Sequence, residues 1–284
     1  MTANFRLLLL TVCMAFVASR ASAADIIIIK QGGRTVIYTG EVVRCDIDGV
    51  TFKIPNTGEI KFYKADIDDV QVDEPAAFKK AHDKMRAQQY EAAVTDLKFI
   101  VDRYGGLPGG PSWIEESVGD LVDAYLALNQ LENAQQAYAL YTKHYSATVC
   151  SKVKDFKIKA ARKLCAEIIT PLAELLDPYL KKESLSDENE PCIAEALIVQ
   201  GDCLRASNKL EDALDSYLLA VTVFNVDEDR AAQAKFSAAQ VFEQLLKWDR
   251  ARDCYEELQA EVKGSVIAAN AKTRLDELNK AHPK

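Results

Sequence analysis

Two stretches, NKLEDALDSY (208–217) and LKWDRARDCY (246–255), carry one pattern. In each, a large residue (Leu210, Trp248) stands three positions before an alanine (Ala213, Ala251), and a tyrosine (Tyr217, Tyr255) follows four positions after it. Steps of three and four keep side chains on one helix face. Twelve and nine positions upstream of the alanines stand Gly201 and Leu204, and Ala239 and Phe242, on a preceding helix; Ala220 and Leu258 continue the second. Small residues at a crossing let two antiparallel helices approach closely, and an aromatic ring then fills the space beside the contact.

The pattern recurs upstream. Ala81, Lys84, Ala93, Leu97 and Ile100 repeat it after Tyr90, and Val122, Tyr125, Ala134, Tyr138 and Tyr141 repeat it around Leu131. Lys84 occupies a place that elsewhere holds a large apolar side chain. The steps from Ala93 to Ala134 and from Ala213 to Ala251 are each close to one helical-hairpin unit, whereas the step from Ala134 to Ala213 is close to two. That long gap predicts a degenerate fifth hairpin, with Ala161, Leu164, Ala173 and Leu180 in equivalent places. Pro171 would open its second helix, where a missing N–H matters little. Tyr125, Tyr138, Tyr217, Phe242 and Tyr255 read as core. Residues 263–280 predict a terminal amphipathic helix with Val266, Ile267, Ala271, Leu275 and Leu278 on its apolar face. Residues 104–112 predict a turn-rich or flexible connector, and 184–191 a polar loop.

These hairpins resemble the tetratricopeptide family, whose repeat is roughly 34 residues, although the proline that often ends such a unit is missing from all four. The resemblance implies a helical solenoid over 75–284 that binds protein partners through the concave face of its first helices. The positions it places there are Asp120, Asp123, Glu195, Asp202, Arg205 and Gln240. It implies that they are exposed. They lean acidic and lack the Lys/Asn/Arg cluster by which some family members clamp a peptide carboxylate, so they suit a basic or polar partner segment.

Residues 25–73 have another texture. Short β-branched and aromatic runs (25–30, 35–46, 50–54, 59–64, 69–73) are separated by Gly, Asn and Asp turns, the pattern of strands and hairpins. Val50, Phe52 and Ile54 alternate with Thr51 and Lys53, and Gly40 inside a strand marks a bend or bulge. Five short strands in this order resemble an SH3-like or Sm-like barrel. The fold class expected is therefore α+β and multidomain: a small all-β barrel over 24–74, then a tetratricopeptide-like solenoid of four to five hairpins.

Positions 1–23 have the layout of a secretory leader: Arg6, an apolar run from Leu7 to Ala18, and Ala21-Ser22-Ala23 as the cleavage site. The run is too short to span a bilayer, so the mature chain is expected to be extracytoplasmic, periplasmic in a bacterial envelope, without stable membrane insertion. Net charge is −8, and removal of Arg6 and Arg20 leaves −10. That balance disfavours nucleic acid and anionic membranes, which reward clustered Lys and Arg.

Loss of Cys13 with the leader leaves Cys45, Cys150, Cys165, Cys192, Cys203 and Cys254. An even count in an exported chain invites a disulfide. Cys192 and Cys203 share a predicted helix, about 16 Å apart, beyond the roughly 7 Å that a disulfide spans; the pairing otherwise stays open. The three histidines (His82, His144, His282) stand in no metal or nucleophile–base motif, and no phosphate-binding or dinucleotide-binding glycine motif is present. These readings point to a non-catalytic scaffold or adaptor without cofactor, its oligomeric state open. A second reading is an accessory subunit of an envelope enzyme or transport complex that docks through the β-module.

Overall fold

Among the described residues five strands come first: β1 (Asp25–Gln31), β2 (Arg34–Cys45), β3 (Gly49–Ile54), β4 (Gly58–Tyr63) and β5 (Ile67–Gln71). They form one antiparallel sheet in the order β4-β3-β2-β1-β5. The computed structural model describes residues 24–46, 48–107, 110–144, 148–181, 189–225 and 227–283. The expected leader lies outside them, as do residues 184–188 of the expected polar loop.

Strand β2 changes partner at Gly40. Arg34 to Gly40 pair with β1, and Glu41 to Cys45 pair with β3 with a register shift between Val42 and Arg44. A Cβ at Gly40 would lie 2.2 Å from the Lys53 carbonyl oxygen and 2.8 Å from the Phe52 ring, so only glycine allows the corner. The expected bend is here, and the bulge follows just beyond it. Ile27, Ile29, Val42, Val50, Phe52, Phe62 and Val70 turn inward.

Eleven helices follow among the described residues: α1 (Ala76–Arg86), α2 (Tyr90–Tyr104), α3 (Ser112–Ala127), α4 (Leu131–His144), α5 (Val149–Ala161), α6 (Cys165–Leu180), α7 (Glu190–Ala206), α8 (Leu210–Thr222), α9 (Glu228–Gln244), α10 (Trp248–Glu261) and α11 (Val266–Ala281). The first ten pair as five antiparallel hairpins stacked in chain order, a tetratricopeptide-like solenoid, and α11 covers the end. None is long and apolar enough to cross a membrane.

One backbone device punctuates the hairpins. Gln88, Asn129, Lys163, Asn208 and Leu246 each have φ between 55° and 63°, and each stands two residues before its second helix. The next N–H donates back to the carbonyl of Lys84, Tyr125, Lys159, Leu204 or Phe242 at 2.8–3.0 Å. This is the left-handed C-terminal cap in which an orphan carbonyl is satisfied from beyond the helix end.

The caps fix the register of the degenerate hairpin. Counting from Lys163, its pattern positions are Phe156, Lys159, Ile168, Leu172 and Leu175. Ala161, Leu164, Ala173 and Leu180 are not the equivalents: Ala161 and Ala173 face solvent, and Leu180 is 44% exposed. Helix α6 begins at Cys165, with Pro171 and Pro178 inside it. Ile168 replaces the alanine found at Ala93, Ala134, Ala213 and Ala251, all fully buried. At the fourth hairpin, a Cβ on Gly201 would come within 2.6–2.9 Å of the Tyr217 ring. Lys84 fits its apolar place because Nζ donates to Asp96 Oδ2 at 2.6 Å and to the Ala92 carbonyl at 3.2 Å.

The sheet shares its core with the first hairpins through Ile100, Tyr104, Leu107, Trp113 and Ile114. Arg103 donates to Glu41 at 2.6 Å across the junction. Leu107 is buried in the 104–112 connector, of which residues 108–109 lie outside the described residues. Helix α11 buries Ala268, Ala271 and Leu278, with Ser265 capping it through the Ala268 N–H.

Candidate functional site

The first helices α3, α5, α7 and α9 pack against one another in succession. On α5, Cys150, Lys154 and Lys157 follow each other at steps of four and three; on α7, Cys192 and Glu195 are three apart. Each set therefore lies along one helix face, and the two faces meet. Cys150 and Cys192 form a disulfide, with Cα atoms 5.2 Å apart. One turn further on, Lys154 Nζ stands 2.5 Å from Asp123 Oδ2 and 3.2 Å from Glu195 Oε2. Lys157 Nζ stands 2.6 Å from Asp123 Oδ1 and 2.5 Å from Glu195 Oε1. Two carboxylates from α3 and α7 thus clamp two ammonium groups of α5.

Burial alone would push the Glu195 carboxyl up and the Lys154 ammonium down, because it penalises charge. Proximity reverses both. Lys154, Lys157 and Arg230 hold Glu195 well below the usual carboxylate range, and Asp123 and Glu195 hold Lys154 above its ordinary value. Arg230 adds a third cation from α9; its backbone N–H donates to Asp227 at 2.9 Å, capping that helix, and its guanidinium pairs with the same carboxylate.

A second pair lies beside this cluster. Asp120 Oδ2 is 3.3 Å from His82 Nε2 of α1, which also sees Glu116 at 3.6 Å and is aligned for a hydrogen bond with neither. Burial pushes Asp120 up to about 6, against the opposing pull of His82 and Lys154. A third group lies toward α9. Asp202 accepts from the Tyr217 hydroxyl at 2.6 Å, and Arg205 donates to Gln240 Oε1 at 2.7 Å.

The structure places all six expected residues on first helices, in three groups: Asp120; Asp123 with Glu195; and Asp202 with Arg205 and Gln240. They are less open than expected. Glu195 is buried and the other five are half-buried. The chain curls far enough that Arg86, at the end of α1, pairs with Asp229, at the start of α9, at 3.1 Å. The acidic lean is also cancelled at Asp123 and Glu195, whose partners lie within the chain. Their use as bait for a basic segment has no physical basis.

Lys154, Lys157 and His82 escaped the sequence reading. The steps from Cys150 were the available signal, but the misplaced register of the degenerate hairpin hid which face of α5 they occupy. Among the described residues no group of three or more His, Cys, Asp or Glu is arranged to hold a metal ion. A groove of about 750 Å³ lies between α8 and α10, lined by Leu214, Leu218, Phe242 and Cys254 among others; none of the six residues borders it.

No protein-family model matches the chain, and no curated protein matches it in sequence. A comparison of folds finds similar solved structures. BtubC (BKLC) from P. vanneervenii is 13% identical with a TM-score of 0.46, over 73% of this chain and 85% of its own. A Podosopora anserina protein of kinesin light chain type with nearly identical TPR-like repeats is 15% identical, over 66% of this chain. A point-substituted form of it gives a TM-score of 0.40 over 92% of its own length, and a second structure gives 0.39 over 93%.

Proposed function

We propose that this chain is an exported, non-catalytic scaffold that binds protein partners in the cell envelope through its tetratricopeptide-like solenoid. The observation that carries the reading is the stack of five capped hairpins, an architecture whose working part is an extended side-chain surface rather than a single cleft. Export is supported by the leader-like stretch 1–23 and by the Cys150–Cys192 disulfide, a bond that persists in oxidising compartments. On this reading the partner meets Asp202, Arg205 and Gln240, whose side chains keep solvent access, while Asp123 and Glu195 hold the surface in shape.

The experiment is affinity capture of the full chain from the exported fraction. One partner recovered with the wild type and lost with Arg205→Glu or Gln240→Lys, at unchanged thermal melting, supports the scaffold. Equal recovery with the variants overturns this placement. Full-length chain confined to the cytoplasmic fraction, with the stretch 1–23 still attached, overturns export.

A second reading, an accessory subunit docking through the β-module, rests on a different observation. The module is read as SH3-like from its strand order and its corner at Gly40. Its outward face carries Ile37, 62% exposed, paired in register with half-buried Ile28. Capture lost with Ile37→Asp and kept with Arg205→Glu favours it.

A further inference from the structure

The two edges of the sheet differ. The order β4-β3-β2-β1-β5 leaves the outer sides of β4 and β5 without a strand partner among the described residues. Strand β5 carries Asp68 and Asp69 side by side, and its register with β1 shifts between Ile28 and Ile29. Like charges directly opposite destabilise a strand pair, so this edge repels a copy of itself. Strand β4 keeps an unbroken register with β3 from Gly58 to Tyr63. Its exposed face presents Glu59, Lys61 and Tyr63, and its inner face carries half-buried Ile60 and buried Phe62. Tyr63 is 59% exposed. Lys61 pairs with Asp46 at 3.0 Å, while Glu59 stands opposite exposed Lys53 and makes no ion pair among the described residues.

We propose that β4 pairs antiparallel with β4 of a second copy of this chain, across a two-fold axis at Ile60, so that the two sheets join edge to edge. A two-fold axis normal to the sheet keeps each face on its own side, so exposed positions meet exposed positions. Centring the pair on Glu59 or on Lys61 sets like charges face to face. Centring it on Ile60 makes every pair favourable. Glu59 meets the partner's Lys61, and Lys61 meets the partner's Glu59. On the inner face Ile60 meets the partner's Ile60, and Phe62 fits over the partner's Gly58. Exposed Tyr63 meets the partner's Thr57. Across the joined sheets Lys53, Glu59 and the partner's Lys61 then alternate in sign, which supplies Glu59 with cations on both sides. Charge on an edge ordinarily deters pairing; a two-fold axis at Ile60 turns it into attraction. One short strand from each copy makes a small contact, so the dimer is weak and reversible, and it loosens as salt screens the charges.

The test is sedimentation equilibrium of the purified full chain, over concentrations up to its solubility limit, with zero-length carboxylate–amine cross-linking of an equal mixture of isotopically light and heavy chain. The expected result is a reversible monomer–dimer equilibrium and a mixed light–heavy cross-link between Glu59 and Lys61. Lys61→Glu should weaken association about tenfold, because both crossings become like-charged. Glu59→Lys combined with Lys61→Glu should regain it. Both variants are read at unchanged thermal melting; should either melt early, the wild-type cross-link decides alone. Wild type that stays monomeric throughout, or a dimer that Lys61→Glu leaves unchanged, overturns the proposal. So does a mixed cross-link from Lys61 to Asp68 or Asp69, which would place β4 on the β5 edge of the second copy.

Discussion

Lys154 and Glu195 meet at 3.2 Å one helical turn beyond the Cys150–Cys192 disulfide, so covalent bond and buried ion pair lie along a single α5–α7 seam. The seam locks the hairpin whose repeat chemistry is poorest. An ion pair taken out of water is weak in net stability yet damaging to break, since removal of one partner strands the other charge.

Glu195→Ala should therefore destabilise the chain by about 3 kcal/mol, measured by urea denaturation at pH 7. Because the folded pKa of Glu195 is depressed below its ordinary 4.5, its contribution is complete above that value and is lost as pH falls below it. The difference between wild type and Glu195→Ala should shrink through that acid range. A difference that is constant with pH contradicts the assignment.

Opening the disulfide with Cys150→Ser and Cys192→Ser together should cost about 4 kcal/mol, the chain-entropy value for a loop of this length, given the separation of 42 residues. Thermal melting of the double variant against wild type without reductant checks this. Equal melting curves contradict it.

Asp120 should make the protein less stable as pH rises from about 4 to about 6. The folded chain keeps the Asp120 proton up to about 6, whereas the ordinary carboxyl loses it near 3.8. The folded state therefore binds more protons between those values, and stability falls with pH. His82 of α1, Glu116 and Asp123 of α3 and Lys154 of α5 face this carboxyl. Asp120→Asn should flatten that segment of the stability–pH profile and add up to about 3 kcal/mol at pH 8. An unchanged slope contradicts the account.

Leu246 is held at φ 60° with its side chain 69% exposed. A left-handed backbone costs a non-glycine residue about 1 kcal/mol, and here little packing is lost on removing the side chain. Leu246→Gly should raise stability by about that amount, whereas Gly201→Ala should lower it by about 2 kcal/mol through its clash with Tyr217. Calorimetry on both variants separates the cap from the crossing.

Much of the solenoid was legible because its key contacts are local. The steps from Leu204 to Ala213 to Tyr217 lie inside one hairpin, and close helix contact demands small residues there. The fifth hairpin was legible as a gap and not as a register. Its alanine is Ile168, and its cap is Lys163, a residue with no intrinsic preference for the left-handed region. The site was least legible. Asp123 on α3 and Glu195 on α7 are separated in sequence by the whole α5–α6 hairpin, and the lysines that join them come from that hairpin, whose face was misassigned.

The most direct test of the scaffold reading is site-specific photo-cross-linking. A photoreactive residue is placed at Gln240 on the first helix α9 and, in a second protein, at Glu256, exposed on α10. In cells that make the chain, the account predicts a discrete partner cross-linked from position 240 and not from 256. The same partner captured only from 256, or no partner from 240, contradicts it.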